Sequence, residues 1–395
     1  MKITRIHTTP IRIPLTCFFY NSEWAGTKRE WGGRLCRVSP KRPSPILEYV
    51  LVHIDTDEGI SGLGEAPADI GFFGQTMEAI QVAIDDYLGP QLVGMEPFDI
   101  PALMDRIDYR ENSCAKSGID LALHDLVGKI RGISVSELLG GPRRTRIPVA
   151  IEIAGGSPDD MAAECLKYMK MNVKAFKPKI GSIPAKDADR LRAIREAVGP
   201  DVSLRADANR GYTPAEAIEL CRLAETYEVN LELLEQPCEA WDLPGMAEVR
   251  RAVNVLIEAD ESCFGPHDAE AVIRAGAADV LNIKIGKAGG LANAMRIAEI
   301  AEAAGLESVL GTAFGVGPKI AAKLHFAAAV KRFTGAVEFT ELGLHGPLLK
   351  GDLDRALSLP LDEDGCLPVP TGPGLGVELD EAKVAEVTRK PFSLS

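Results

Sequence analysis

The sequence predicts an α/β protein built on a barrel of eight β/α units, preceded by an α+β segment. Three observations carry this. From residue 146 onward, short apolar runs alternate with amphipathic helical runs, eight times in about 200 residues, which is the rhythm of such a barrel. Several of those apolar runs end in charged residues at near-constant spacing. Residues 1–140 have another texture, with β-rich runs first and helical ones after. An open doubly wound sheet is the structural alternative, but no GxGxxG follows an early strand.

At 395 residues the chain has room for two domains, or for one large barrel with an addition. Its 46% hydrophobic and 26% charged residues are ordinary globular values, and its net charge of −13 argues against a nucleic-acid surface. The cysteines (Cys17, Cys36, Cys114, Cys165, Cys221, Cys238, Cys263 and Cys366) form no CxxC pair, so neither a zinc ribbon nor a thioredoxin-type motif is supported. Scattered thiols in a chain this large suit a reducing compartment. The start, MKITRIHTTPIRIPL, alternates instead of offering an apolar signal core, and no apolar run is long enough to span a membrane. A soluble, cytoplasmic protein is expected.

Residues 1–140 come first. ITRIHTTPIRIPL and ILEYVLVHIDTDEGISGLGE read as strands, with Asp57-Glu58-Gly59 as a hairpin turn. Between them, Cys17 to Pro45 form a long polar connection holding Trp24, Trp31 and several Lys and Arg, which is either functional or a mobile insertion. In GEAPADIGFFGQT, residues 64–76, Phe72 and Phe73 lie between Gly71 and Gly74 and read as an apolar lid or a buried hairpin end. Residues 75–140 read as helical; SGIDLALHDLVGKIRG has helical spacing and Gly132 ends it.

The barrel follows over 141–350. Its strands are IPVAIEI, AFKPKIG, VSLRADAN, LELLEQP, VLIEADES, VLNIKIGK, SVLGTAF and GAVEFTEL. Helix starts are marked, as in Thr213-Pro214-Ala215-Glu216, an N-cap, a proline at the first helical position and a capping-box glutamate. In residues 351–395, LSLPLDEDGCLPVPTGPGLGVEL holds short strands and turns and is expected to return to the N-terminal region.

The charged strand ends carry the chemistry. Lys179, Asp207, Glu235, Asp260 and Lys284 are spaced 28, 28, 25 and 24 residues apart, about one β/α unit each, so they fall at one height at the barrel end where active sites lie. Asp207, Glu235 and Asp260 would repel one another unless a cation sat between them. A hard divalent ion with oxygen ligands answers this, Mg²⁺ first and Mn²⁺ next; the HxxH and HExxH spacings of zinc enzymes are absent, and His124 on an apolar helix reads as a core residue. Lys177 and Lys179, two apart on a strand, share a face. A neighbouring ammonium, a nearby metal and burial would each lower the pKa of Lys179 toward that of a useful base. Lys284 would face it across the barrel mouth, with Glu261 close enough to pair. A metal flanked by two proton-transfer groups suits removal of a proton beside a carboxylate, through an enediolate.

KPKIG, RADANRGYT, LLEQP, ADES and NIKIGKAGG, in that order, resemble the enolase superfamily, specifically its muconate lactonizing enzyme subgroup. SGIDLALHDLVGKIRGISVSELLGG resembles the helical segment before the barrel, and FTELGLHGPLL and PTGPGLGVELDEA resemble the end of muconate cycloisomerases. The resemblance implies a modified (β/α)7β TIM barrel with a capping domain made from the N-terminal region and the C-terminal tail. It implies Asp207, Glu235 and Asp260 as Mg²⁺ ligands and Lys179 as principal acid/base. Lys177 would be its electrostatic partner and a contact to the substrate carboxylate, and Lys284 the opposite acid/base or a cationic stabiliser. Asn209 and Glu261 are expected to line or back the substrate site, and Glu341 resembles a substrate-facing glutamate, with a structural salt bridge as the alternative; the resemblance further implies specificity loops around Trp24 and Phe72–Phe73, and a homo-oligomer, dimer or octamer.

The sequence departs from that subgroup in its long first loop, in GTAFGVG where a methionine-containing form is expected, and in extra residues before GPLL. The first reading is a muconate cycloisomerase-like lactonizing enzyme acting on a small carboxylate. The alternative is a racemase or epimerase of an N-acyl amino acid, dipeptide or proline derivative using Lys179 and Lys284 as two bases, although EFTEL lacks the DxD pattern that ends the eighth strand of dipeptide epimerases. An acid-sugar dehydratase would need a histidine on the seventh strand. A Schiff-base aldolase would leave the carboxylates unexplained, and a non-catalytic binding protein predicts no metal affinity.

Overall fold

The computed structural model describes residues 1–14 and 46–389; Trp24 and the long polar connection lie outside them. Alternating apolar residues make the first three strands, β1 (Ile3–Pro14), β2 (Ile46–Thr56) and β3 (Ser61–Ala68), an antiparallel sheet in the order β1-β2-β3. The turn between β2 and β3 uses Gly59 at φ +78°, a conformation that glycine adopts without steric cost. One face of this sheet is covered by the helix Ser113–Arg131, which Gly132 terminates in the left-handed conformation, its N–H reaching back to the carbonyls of Gly128 and Lys129. The packing is close because Gly64 and Gly118 meet backbone to backbone: a Cβ on Gly64 would lie 2.1 Å from the Gly118 carbonyl oxygen. Val50, Val52, Ile54, Ile119, Leu123 and Leu126 belong to this cap core, which is separate from the barrel core.

The barrel strands are β4 (Arg146–Ile153), β5 (Ala175–Pro178), β6 (Ser203–Leu204) and β7 (Ala206–Asp207), β8 (Leu233–Glu235), β9 (Leu256–Ala259), β10 (Val280–Ile283), β11 (Glu307–Leu310) and β12 (Val337–Glu338). β6 and β7 are one strand interrupted at Arg205, whose side chain is buried and donates to the Ala336 carbonyl. The parallel ladder runs β4-β5-β6 and β7-β8-β9-β10-β11, and β12 pairs with β4 through Val337 opposite Val149. Thr334 N–H donates to the Ser308 carbonyl at 3.0 Å beside the β11–β12 seam. The chain is therefore α/β, with an eight-stranded parallel barrel whose last strand closes on its first. The Thr213 capping box with Pro214 forms as the sequence indicates.

After the barrel, β13 (Cys366–Pro368) pairs antiparallel with the start of β4, at the barrel floor. Only then does the tail reach the cap: Gly374 bridges Ser134, and Thr388 bridges Ile11. The tail thus serves both bodies, where the sequence pattern suggested the cap alone. His124 is buried in the cap helix with Nδ1 on the Asp120 carbonyl at 2.8 Å. No described helix is long and apolar enough to cross a membrane.

Candidate active site

Parallel register sets the site. Glu152 stands opposite Lys177 across β4–β5, Lys179 bridges Asp207, and Asp207 stands opposite Glu235 across β7–β8. Asp260 follows β9, and Lys284 follows β10. All are buried at the C-terminal end of the barrel. The backbone leaves the strands abruptly there, with Asn209, Arg210 and Gln236 at φ +41°, +67° and +36°. Non-glycine residues adopt such angles only where surrounding bonds hold them. Gln236 shows how: its Oε1 accepts from Asp260 N at 2.9 Å and Ser262 N at 3.1 Å, and its Nε2 donates to Ser262 Oγ at 2.7 Å.

Acids and lysines interleave. Lys177 Nζ lies 2.5 Å from Glu235 and from Glu338 and 3.4 Å from Glu152. Lys179 Nζ lies 2.6 Å from both Glu152 and Asp207. Asp260 takes Lys284 at 2.5 Å and Lys287 at 2.7 Å. Glu235 also accepts from Asn282 at 3.1 Å. Glu261 does not pair with Lys284 as the sequence suggested. Asp260 holds that lysine, and Glu261 turns to Arg210 at 3.1 Å and Asn209 at 3.4 Å.

Among the protein's own groups, the charged form of Lys179 is favoured. Burial does oppose its ammonium, but Asp207 and Glu152 outweigh burial and the Lys177 charge, and its pKa is raised. Lys284 is raised likewise: burial is outweighed first by Asp260. Burial also works against the Glu152 carboxylate, yet Lys179 and Lys177 bring it down to about 2. Elsewhere negative charge is in excess. Burial, and then neighbouring carboxylates, push Glu235 up and bring Glu261 to about 7. Burial raises Glu258 to about 7 as well, and neither of its carboxylate oxygens has a partner. Glu261 Oε2, Asn209 Oδ1 and Asn282 Oδ1 are also buried without partners.

This donor set fits a hard divalent cation: it is all oxygen, rich in carboxylate, and short of positive charge. The carboxylates lean toward lysines, so among the described residues no three His, Cys, Asp or Glu already form a metal cage. The residues that could hold an ion are Asp207, Glu235 and Asp260.

A cavity of about 70 Å³ opens between cap and barrel beside these groups. Lys179, Lys284 and Asn209 line it from the barrel, and Phe72 and Phe73 from the cap. Phe72 lies over Lys284, with Nζ 4.3 Å from the ring centroid, and its ring stacks on Phe264 at 5.7 Å. An Asx turn sets this position, Asp69 Oδ1 accepting from Gly71 N at 2.7 Å and Phe72 N at 3.1 Å. Lys177 and Glu341 are not on the cavity wall. Lys177 lies beneath it among carboxylates, and β12 ends at Glu338, so Glu341 begins a short helix where it binds Lys323 at 2.7 Å and Thr312 at 3.0 Å.

Sequence reasoning missed Glu152, Glu258, Asn282, Lys287 and Glu338. A signal was present for three of them, a lone acid inside the apolar runs VAIEI, VLIEA and AVEF. It also missed Glu65 on β3, fully buried, which accepts from Val316 N at 2.9 Å and Lys319 N at 3.0 Å and so ties the cap to the loop after β11.

Known proteins match this architecture along the chain. The model of the mandelate racemase / muconate lactonizing enzyme N-terminal domain matches residues 45–140, and that of the enolase C-terminal domain-like family matches residues 160–383. The L-Ala-D/L-Glu epimerase of Clostridium acetobutylicum is 38% identical over 331 residues, 83% of this chain and 90% of its own length. Muconate cycloisomerase 1-1 of Acinetobacter lwoffii is 36% identical over 363 residues, 89% and 93% of the two chains. The crystal structure of a dipeptide epimerase from Enterococcus faecalis, complexed with Mg and the dipeptide L-Leu-L-Tyr, superposes with a TM-score of 0.83 at 31% identity, covering 96% of this chain and all of that one. With both domains matched and relatives of two activities sharing one fold, this chain belongs to the mandelate racemase / muconate lactonizing enzyme family and is an isomerase of the enolase superfamily.

Proposed function

We propose that the protein racemises or epimerises an amino-acid derivative at the carbon beside its carboxylate, with Lys179 and Lys284 as the two bases. The observation that carries this reading is their placement. They follow the second and sixth of eight barrel strands, on opposite sides of the mouth, and both line one cavity. Inverting a carbon requires a proton to leave one face and another to arrive on the opposite face. A lactonizing reaction moves one proton and needs one lysine. The epimerase names of several relatives point the same way, so the two-base reading displaces the muconate one that the motifs first suggested.

Asp207, Glu235 and Asp260 would hold Mg²⁺, as the Mg-complexed relative suggests, and the ion would polarise the substrate carboxylate as a Lewis acid. Lys179, whose ammonium Asp207 and Glu152 favour, has to give up that proton before it takes the α-proton on its face and leaves an enediolate; Lys284, as its ammonium, delivers a proton on the other. Lys177, Asn282 and Lys287 keep the acids in place, and the Phe72–Phe73 segment excludes water.

Proton NMR in D₂O with Mg²⁺ tests this, using amino-acid derivatives of both hands and muconate. Wash-out of the α-proton from both enantiomers is expected. Lys179→Ala should abolish exchange for one hand and Lys284→Ala for the other, with interconversion lost by roughly 10²–10⁴-fold in each. Full turnover in Lys284→Ala would point to a one-base cycloisomerase instead, and borohydride trapping with retained activity in EDTA to an aldolase.

A further inference from the structure

The loop after the seventh barrel strand supplies Thr312, Ala313 and Phe314 to the cavity wall. The left-handed residue in it is Phe314, at φ +46°, although glycines stand at 311, 315 and 317. A bulky side chain stays at such an angle only where its surroundings hold it.

Thr312 provides the hold. Its N–H donates to Glu338 Oε2 at 3.0 Å, which fixes where the loop starts. Its hydroxyl is used to full capacity. It donates to Glu341 Oε2 at 3.0 Å and accepts from Lys323 Nζ at 3.2 Å and Phe314 N at 2.9 Å. Lys323 spends its other two donors on Glu341 Oε1 and the Glu338 carbonyl, both at 2.7 Å. All three side chains are buried. Between an ammonium that only donates and a carboxylate that only accepts, the hydroxyl has one orientation. Its remaining lone pair then faces the Phe314 amide.

The Lys323–Glu341 pair lies behind the wall and not on it. Stability alone does not call for it, since packed apolar side chains often replace a buried ion pair without loss. What apolar side chains could not do is orient Thr312.

Resting on the two-base reading above, we propose that Lys323 and Glu341 are positioning residues of the reaction: through the Thr312 hydroxyl they hold Phe314 against the cavity, and so hold the substrate without touching it. A wall of this kind serves bound substrate and transition state alike, so its loss appears in KM and spares kcat.

Two measurements on the Mg²⁺-loaded full chain test this, with three variants. Thr312→Val removes the hydroxyl, and Thr312→Ser keeps it. The double variant Lys323→Met with Glu341→Leu removes both charges together, and its stability in urea should equal or exceed that of the parent. The first measurement is amide hydrogen exchange, which needs no substrate. The Phe314 amide should exchange slowly in the parent and in Thr312→Ser. It should exchange about tenfold faster or more in Thr312→Val and in the double variant, where its acceptor is lost or free to turn. The second measurement is the rate of α-proton wash-out in D₂O against concentration, for whichever amino-acid derivative the parent exchanges fastest. KM is expected to rise about tenfold in Thr312→Val and in the double variant, with kcat changed less than about threefold. Thr312→Ser should recover most of the loss. Adding Thr312→Val to the double variant should cost nothing further, because the three side chains act as one unit. Thr312→Val leaves the ion pair in place, so it remains informative if the double variant fails to fold.

A parental KM in the double variant, or a fall in kcat at unchanged KM, overturns the proposal and leaves the two-base reading standing. So does a Phe314 amide that exchanges equally fast in all forms. Faster Phe314 exchange in both variants, with no wash-out from any compound, would do the reverse, keeping the hold on Phe314 and removing the racemase.

Discussion

Lys287 shows what a single side chain contributes to the site. Its three ammonium donors go to Asp260 Oδ1 at 2.7 Å, the Asp260 carbonyl at 2.8 Å and the Asn282 carbonyl at 2.9 Å, all buried. Lys287→Met keeps the volume and removes the charge, so Asp260 is left with Lys284 alone. Breaking one side of a buried ion pair costs about 3–5 kcal/mol, and the variant should lose that much stability in urea unfolding. A loss under about 1 kcal/mol, the worth of an exposed pair, would mean that this contact is not the buried one described. The sequence named Lys284 and not its neighbour three residues on, because strand-end spacing identifies one residue per strand and says nothing of the turn that follows. Glu152 and Glu338 escaped for another reason. They lie far apart in the sequence, and only closure of β12 onto β4 brings both against Lys177. Glu341 stood out instead as a charge near the end of a strand-like run, and the chain bends into a helix just before it.

At the scale of elements, His325 joins three of them. It lies in the helix Pro318–Ala329, its Nδ1 accepts from Ser136 N at 3.3 Å, and its Nε2–H donates to the Leu375 carbonyl at 3.1 Å. Only the neutral ring can accept and donate in this way. Burial lowers its pKa to about 4 from the ordinary 6.5. The folded value is below the unfolded one, so the unfolded chain binds more protons between them. Stability is therefore full above pH 6.5 and falls as the pH drops toward 4. The loss approaches about 3 kcal/mol at 1.36 kcal/mol per pKa unit. His325→Gln keeps a donor and an acceptor but does not titrate. Thermal scans at pH 7 and pH 4.5 should show a smaller Tm drop for the variant than for the parent. An equal drop would assign the acid sensitivity elsewhere. The eight barrel strands were legible because each is a short apolar run between capped helices. The tail was less so, since a few residues such as Cys366–Pro368 carry no signal of which sheet they join.

For the whole molecule, the site occupies the seam between two apolar cores, and its charges belong to both. Filling it with a cation should therefore steady the entire chain. Mg²⁺ at a hundred times its Kd is expected to add about 2.7 kcal/mol, read as a concentration-dependent rise in Tm that EDTA reverses. A Tm indifferent to Mg²⁺ would remove the metal reading of Asp207, Glu235 and Asp260. The seam also bears on how such chains can be recombined. Glu65 belongs to the cap by sequence, yet one of its oxygens holds the Val316 backbone in the loop that carries Thr312 to Phe314 along the cavity, and the other holds Lys319 N at the start of the helix that follows. A chimera that took its cap from a relative would thus change a wall of the barrel as well as its roof, without altering one barrel residue. Exchanges that retain a carboxylate at position 65 keep the two parts interchangeable; those that lose it have to be matched by a new loop.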